Sequence, residues 1–211
     1  MTEQSMVKQE RAARTREALI RSAAEIFDRE GFPVASLTAI SSLAGVSNGA
    51  LHFHFANKAA LADAVETAAL TRLMAVADVE PPSGVSGMQL LIDVTHGLAA
   101  ALRADAVLRA GFELSGEVSR APQVDLRGWW RHWVEEMLER AATGGELRPE
   151  VAAGDAGGAV VAATVGFEVL GARDAEWLSG STVTGFWRLL LPTLVAPELL
   201  GELVAGGTRT A

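Results

Sequence analysis

The segment SLTAISSLAGVSNGALHF constrains the fold most, because it holds two short apolar helix patterns on either side of one glycine. Ser36 is a plausible N-cap for a helix over about 37–44, and Ser47 for a second helix over about 48–54. Between them, Gly45 can adopt the left-handed backbone conformation that a sharp turn requires. The sequence therefore predicts two short helices with a tight turn, rather than one long helix.

A longer helix precedes this pair. Apolar residues spaced i, i+3, i+4 and i+7 form one stripe, namely Ile20, Ala23, Ala24 and Phe27. Gly31 and Pro33 end the pattern, which predicts a helix over about 9–30. Apolar residues of the next segment can pack the three helices together: Leu37, Ile40, Val46, Leu51 and Phe55. We therefore expect a compact three-helix unit.

The remainder of the chain also has helical periodicity. Helices are expected over about 58–77, 86–104, 105–118, 122–143, 155–175 and 181–204, with a loop over Pro81–Gly87. Asn57 can cap the first of these helices, whereas Pro192 and Pro197 should kink or break the last. No segment shows sustained period-two alternation with β-branched residues, so we expect no sheet. The predicted fold class is all-α.

A helix-turn-helix lays its second helix in the major groove of DNA, so the outer surface of the predicted pair is a candidate interface. The residues that can form it are Thr38, Ser47, Asn48, Gly49, Ala50, His52, Phe53, His54 and Lys58. Gly49 and Ala50 let the helix approach base edges, and the Asn48 amide can pair with adenine or bind a phosphate. Contacts to backbone phosphates, which set register rather than sequence preference, are expected from Thr38, Ser47, His52 and Lys58.

The net charge of −8 is unevenly distributed. Residues 1–60 carry seven basic and six acidic side chains, a net +1, whereas residues 61–211 carry eleven basic and twenty acidic ones, a net −9. A phosphate-facing surface requires local positive charge rather than a basic protein. The early part of the chain supplies a basic cluster: Lys8, Arg11, Arg14, Arg16 and Arg21. The same charges also fit an ordinary solvated helix face.

Two histidines leave an alternative open. His52 and His54 could be surface residues, or half of a metal site completed by Asp63, Glu66 or His96. A spacing of two residues directs two side chains of a helix to different faces. We therefore expect no metal site and no cofactor.

Composition argues against several other classes of protein. There is no cysteine, so disulfides and thiolate sites are excluded, and neither a cysteine nucleophile nor a His-Glu metal motif suggests an enzyme. The first twenty residues are charged and lack the apolar core of a signal peptide. No run of about 18 uncharged apolar residues suggests a membrane span. The expected location is the cytoplasm.

Three motifs carry a resemblance to a known family: KQERAARTREAL at 8–19, AAEIFDREGF, and SLTAISSLAGVSNGALHFHFANKAAL at 36–61. Together they resemble the N-terminal domain of the TetR family of one-component repressors, and most closely the branch that contains the γ-butyrolactone receptors. The resemblance implies DNA contacts by the residues named above. Asn48 stands where many members of the branch have Lys, and His52 where Tyr is commonest.

The resemblance also implies an effector site in the later helices. Trp130 matches a tryptophan that covers the ligand in the γ-butyrolactone receptors. From spacing alone, Trp130 and Trp133 share a helix face and fit either a pocket wall or ordinary core packing, while Trp129 faces elsewhere. Further candidates for the pocket are Leu108, Phe112, Thr164 and Phe167.

The expected organisation is a helix-turn-helix domain over 1–57 and a ligand-binding and dimerisation domain over 58–211, with the helix from Lys58 as the linker. In the family, the two C-terminal long helices build a dimeric four-helix bundle. We therefore expect a homodimer that represses from a near-palindromic operator on double-stranded DNA. A small apolar effector, a γ-butyrolactone-type signal or an antibiotic or its intermediate, would release it. The alternative is a helical small-molecule-binding protein that no longer binds DNA.

Overall fold

The structure is a computed structural model, and it describes residues 3–78 and 86–208. Within these ranges the chain forms nine α-helices: α1 (Glu3–Glu30), α2 (Leu37–Leu43), α3 (Asn48–His54), α4 (Lys58–Ala77), α5 (Gly87–Ala104), α6 (Ala106–Ser115), α7 (Leu126–Thr143), α8 (Ala153–Gly171) and α9 (Gly180–Leu194). A 3₁₀ turn spans Ala175–Leu178, and a single β-bridge joins Leu147 to Val195. The all-α fold class is confirmed.

Local hydrogen bonds fix the boundaries of the short helices where the sequence predicts them. Ser36 Oγ accepts from the amide of Ala39 at 3.1 Å, and Ser47 Oγ accepts from the amide of Ala50 at 3.2 Å. Gly45 has φ +68°, the left-handed conformation that permits the turn. All three predictions are confirmed.

Other boundaries differ from the predicted ones. The first helix begins at Glu3 rather than near residue 9, and α7 begins at Leu126 rather than at Pro122. The last helix ends at Leu194, not at 204, because Pro192 and Pro197 bracket a point where the helical hydrogen-bond ladder cannot continue. The helix predicted over 155–175 ends at Gly171. The loop predicted over Pro81–Gly87 lies outside the described residues except for its last two, and Gly87 begins α5.

The first compact unit comprises residues 1–72 and 105–126. Its apolar core contains Leu19, Phe27, Ile40 and Leu51. The helix α6 belongs to this unit because it packs along α1, where Arg109 makes a bidentate ion pair with Asp28 (Nε–Oδ1 2.9 Å, Nη2–Oδ2 2.8 Å). The compact units therefore differ from the functional domains expected over 1–57 and 58–211. The functional boundary after residue 57 stays a prediction.

The second compact unit comprises residues 73–104 and 127–211. Two tryptophans in its core donate their indole N–H to buried threonines: Trp187 of α9 to Thr95 of α5 at 2.7 Å, and Trp130 of α7 to Thr164 of α8 at 2.8 Å. Because a buried N–H without a partner is costly, each bond fixes its ring between two helices.

Candidate functional site

The second helix of the helix-turn-helix presents an exposed surface at its outer side. Asn48, Gly49, His52 and Phe53 are all exposed, and Phe53 has 82% of its surface accessible. A large apolar ring in water gains by burial against a partner, and it can contact a thymine methyl group. These four of the residues predicted to meet DNA are therefore accessible to a partner.

The Asn48 side chain is held in one orientation by α2. Ser41, buried at 3% exposure, shares its one hydroxyl proton between Asn48 Oδ1 at 2.9 Å and the Thr38 carbonyl at 3.1 Å, and Asn48 Nδ2 donates to Thr38 Oγ1 at 3.5 Å. An amide oxygen accepts two hydrogen bonds and an amide nitrogen donates two, so Asn48 retains one acceptor site and one N–H for a base edge. Sequence reasoning missed Ser41, whose signal is a polar residue on the inner side of α2, seven positions before Asn48.

Gly49 has no structural requirement inside the protein. A methyl group built at its Cα would meet only Ser47 Oγ, at 3.9 Å, which is ordinary contact. Its backbone has ordinary helical φ rather than the left-handed conformation of Gly45. The fold therefore does not require glycine at position 49.

Lys58 lies at the base of the predicted DNA surface but points into the protein. Its ammonium group donates to three backbone carbonyls, those of Phe32 (2.7 Å), Pro33 (3.1 Å) and Ala35 (3.0 Å). It also lies 4.7 Å from the centroid of the Phe32 ring. An ammonium has three donors, so all of them are engaged. The structure thus gives Lys58 a role in holding the α1–α2 connection, and its phosphate contact stays a prediction.

The basic cluster of α1 is partly paired within its own helix. Arg14 bonds to Glu10 at 2.5 Å, and Arg21 lies 3.7 Å from Glu17. The guanidinium of Arg16 lies 5.1 Å from the Phe55 ring centroid. Exposed pairs of this kind contribute little to stability and exchange readily, so the arginines remain available to phosphates.

An acidic pair that sequence reasoning considered for metal binding instead binds an arginine. Glu66 is fully buried and accepts from Arg120 at 2.8 and 3.0 Å, and Asp63 also pairs with Arg120. Hydrogen bonding to Glu66 raises the pKa of Arg120. The backbone amide of Gln123 donates to Glu66 as well, at 2.9 Å. These bonds attach the α6–α7 connection to α4. The sequence signal for this role was Glu66, an acidic residue with alanine and valine before it on α4.

The predicted effector residues Trp130 and Thr164 are bonded to each other. Trp130 is 1% exposed and stacks on Trp133 with ring centroids 5.3 Å apart. The Thr164 hydroxyl accepts from Trp130 and itself donates to the backbone of α8, with Val160 O at 2.9 Å. Its only proton is therefore engaged. In the structure Thr164 positions Trp130, and its contact with a ligand stays a prediction.

The remaining predicted effector residues are divided between the two compact units. Phe167 packs edge-on against Phe186 of α9, with centroids 5.7 Å apart, in the second unit. Leu108 and Phe112 are buried on α6 in the first unit. Because α6 packs on α1, burial in the core accounts for their apolar character without a ligand, and their contact with an effector stays a prediction.

Comparison with known proteins agrees with the helix-turn-helix geometry. The family profile described as bacterial regulatory proteins, tetR family, matches residues 19–65. The A-factor receptor protein of Streptomyces griseus is 31% identical over 209 residues, which cover 96% of this chain and 71% of that protein. This chain belongs to the TetR family.

Solved TetR-family structures share both the fold and the branch predicted from the motifs. A gamma-butyrolactone receptor (ArpA like protein) superposes with a TM-score of 0.80 at 26% identity, covering 93% of this chain and 96% of that one. CprB from Streptomyces coelicolor, solved in complex with its biological operator sequence, superposes with a TM-score of 0.76 at 27% identity, covering 91% and 94%. The chain is thus a TetR-family transcriptional regulator similar to the γ-butyrolactone receptors.

One helix of this TetR-family chain is apolar enough to raise the question of a membrane. Among the described residues, α8 has the length and composition of a membrane span, and only 22% of its apolar window is buried. It also carries Asp155 and Glu168, and Glu168 pairs with Arg127 at 2.9 Å. A single such helix is weak evidence for a span, and the described part of α8 leaves most of its apolar window at least partly exposed.

Proposed function

We propose that the protein is a cytoplasmic repressor that binds a near-palindromic operator as a homodimer and is released by a small, largely apolar effector of the γ-butyrolactone type. The observation that carries the proposal is the exposed α3 surface, with Asn48 fixed by Ser41 and with Gly49 required by nothing inside the chain. A related chain, CprB, was solved with its operator DNA.

Base recognition is assigned to α3 and phosphate binding to its flanks. Asn48 and Phe53 would contact base edges, and Gly49 and Ala50 would allow the close approach. Ser47, Thr38, His52 and His54 would bind phosphates or sugars at the groove edges. Lys58 is left out of the contacts because its donors are already used.

Dimerisation is assigned to the open sides of α8 and α9. The exposed residues on them are mostly small or apolar: Gly158, Ala159, Ala162, Val169 and Leu189. Leu189 is 81% exposed. Glycines and alanines let a second helix approach closely, and a twofold pair of such helices would cover the apolar side of α8.

The effector is assigned to the surroundings of Trp130, which would have to open from its packed arrangement. A ligand shifts an equilibrium only by its difference in affinity for the two conformations. The expected coupling is about 1–3 kcal/mol, enough for roughly a 5–150-fold loss of DNA affinity. Since α4 contributes residues to both compact units, it is the covalent route between the two sites.

The test is fluorescence anisotropy of the gene's own upstream DNA, with a γ-butyrolactone bearing an aliphatic side chain as the probe. The probe should release the wild-type protein and the Trp177→Ala control, whose indole is 42% exposed. It should release Thr164→Val poorly, because that variant keeps the shape of residue 164 but loses the acceptor that positions Trp130. A Thr164→Val protein released as readily as the control would contradict the assignment. A wild-type protein that binds the probe but stays on DNA would contradict the release mechanism.

A further inference from the structure

A cavity of about 540 Å³ lies in the second unit and does not involve Trp130. Its apolar wall is made of Ala75 and Val76 of α4, Ala99 and Ala100 of α5, and Leu178 of the 3₁₀ turn. This volume is within the range of small-molecule sites.

One wall of the cavity is a segment held by hydrogen bonds rather than by secondary structure. The segment, residues 204–208, includes Gly206 and Gly207, which line the cavity. Gln89 bonds both backbone groups of Val204, accepting from its N–H at 2.8 Å and donating to its carbonyl at 3.3 Å. Asp93 accepts from the amide and the hydroxyl of Thr208, at 2.8 and 2.5 Å.

A third residue of the same α5 face completes this attachment. His96 Nε2 lies 3.0 Å from the carbonyl oxygen of Ala205. The three side chains follow the i, i+4, i+7 spacing that places residues on one side of a helix. Sequence reasoning considered His96 only as a metal ligand.

The polar side chains in the lining fall into two places on α5: Asp93 with His96, and Arg103 two turns later. A neutral His96 that donates Nε2–H to Ala205 keeps Nδ1 as an acceptor, and Asp93 beside it has carboxylate lone pairs beyond those it uses. Arg103 lines the cavity further along α5, seven residues from His96 and so about 10 Å away along the helix axis. Between His96 and Arg103 the lining residues of α5 are Gly97, Ala99 and Ala100. A matching ligand has a hydroxyl at one end, an apolar middle, and a carbonyl or carboxylate at the other.

We propose that this cavity is a second small-molecule site, which takes an elongated hydroxylated acyl compound and is closed by the 204–208 segment. The hydroxyl donates to Asp93 or His96, the acyl oxygen accepts from Arg103, and the chain lies along Ala99 and Ala100. Binding would order the segment that forms the wall, so the ligand and the segment stabilise each other.

Calorimetric titration of the full chain with ω-hydroxydecanoate tests the site, with decanoate as the matched ligand lacking the hydroxyl. Wild type should bind ω-hydroxydecanoate at least about fivefold more tightly than decanoate. Ala100→Phe fills the cavity and should weaken binding at least about tenfold, whereas Ala101→Phe, on the same helix but outside the lining, should leave it within about twofold. Absence of binding by wild type, or equal binding by the two variants, would overturn the proposal.

A second pair of variants addresses the segment without filling the cavity. Gly207 has φ +80°, and a methyl group there would lie 3.4 Å from Asp93 Oδ1 and from the His96 ring. Gly201 lies outside the lining and outside this segment, and a methyl group there would meet nothing within 4 Å. Gly207→Ala should therefore weaken ligand binding and speed hydrogen exchange at the amides of Val204 and Thr208, while Gly201→Ala should change neither. Because neither readout involves DNA, failure here is distinguishable from failure of the repressor proposal. Unchanged exchange in Gly207→Ala, or no added protection by the ligand in wild type, would contradict the role of the segment.

Discussion

At the scale of single residues, a substitution of Gly49 should change protein stability and DNA binding in opposite directions. Alanine fits its place in α3 and is the better helix former. We expect Gly49→Ala to raise the free energy of unfolding by about 0.5–1 kcal/mol and to weaken binding to upstream DNA, because the added methyl group faces the groove. Urea unfolding and anisotropy titration measure the two effects. A variant that is more stable and binds DNA as tightly as wild type would remove Gly49 from the interface.

A substitution of Lys58 distinguishes its structural role from a contact with a DNA phosphate. Lys58→Met keeps the length of the side chain but leaves three carbonyl oxygens without their donor. We expect it to lower the free energy of unfolding by about 1.5–3 kcal/mol. The slope of log K against log salt for DNA binding should stay unchanged. A slope reduced by about one, with little loss of stability, would restore the phosphate contact.

Residue roles could be predicted from the sequence where the partner is near in the chain. The caps Ser36, Ser47 and Asn57 bond an amide three residues later, so position alone identifies them. The partners of Lys58 lie 23–26 residues away, and Thr164 lies 34 residues from Trp130. Tertiary packing creates these bonds, and a local pattern does not contain that information.

At the scale of elements, the attachment of the α6–α7 connection to α4 depends on Arg120. Arg120→Met leaves Glu66 buried without its cation, and we expect a loss of about 3–5 kcal/mol in unfolding free energy. The matched control is Arg131→Met, which removes an exposed pair with Glu135 and should cost at most about 1 kcal/mol. Urea unfolding of both variants gives the comparison. Similar losses of unfolding free energy in the two variants would show that the buried pair stabilises the fold no more than the exposed pair does.

If the exposed sides of α8 and α9 form the dimer interface, a charge introduced there should disrupt the dimer. Leu189→Glu places a charge on the proposed interface and should shift the protein from dimer to monomer in sedimentation velocity. Val118→Glu is the control, since Val118 is 99% exposed in the first unit and outside these helices. A dimer unaffected by Leu189→Glu would place the interface elsewhere.

Helix ends show how far periodicity predicts an element. Apolar spacing located all nine helices, but it placed the end of α9 ten residues too late, because the residues after Leu194 keep an apolar character. Val195 and Leu147 form a β-bridge instead, and Ala196 donates its amide to the carbonyl of Glu146 at 3.0 Å. Pro192 and Pro197 indicated a break in this helix, but the sequence did not show which of the two prolines lies near its end.

At the scale of the whole molecule, the family and the all-α fold could be predicted from the sequence, whereas the DNA contacts and the effector site stay predictions. The motifs around α3 are contiguous, so their geometry follows from local structure. The effector set combined residues of α6, α7 and α8, and the structure assigns α6 to a different compact unit. Which helices pack together depends on long-range pairs such as Arg109 with Asp28, which no spacing rule reveals.

The central claim is that two copies of this chain read one operator through α3. Selection of bound sequences from a random duplex library tests it directly, with the Asn48→Ala variant as a parallel sample. We predict enrichment of an inverted repeat with half-site centres about 10 base pairs apart or a multiple of that spacing, and a changed or lost base preference in the half-sites for Asn48→Ala. Enrichment of no sequence, or of a single unrepeated site unaffected by the variant, would contradict the account.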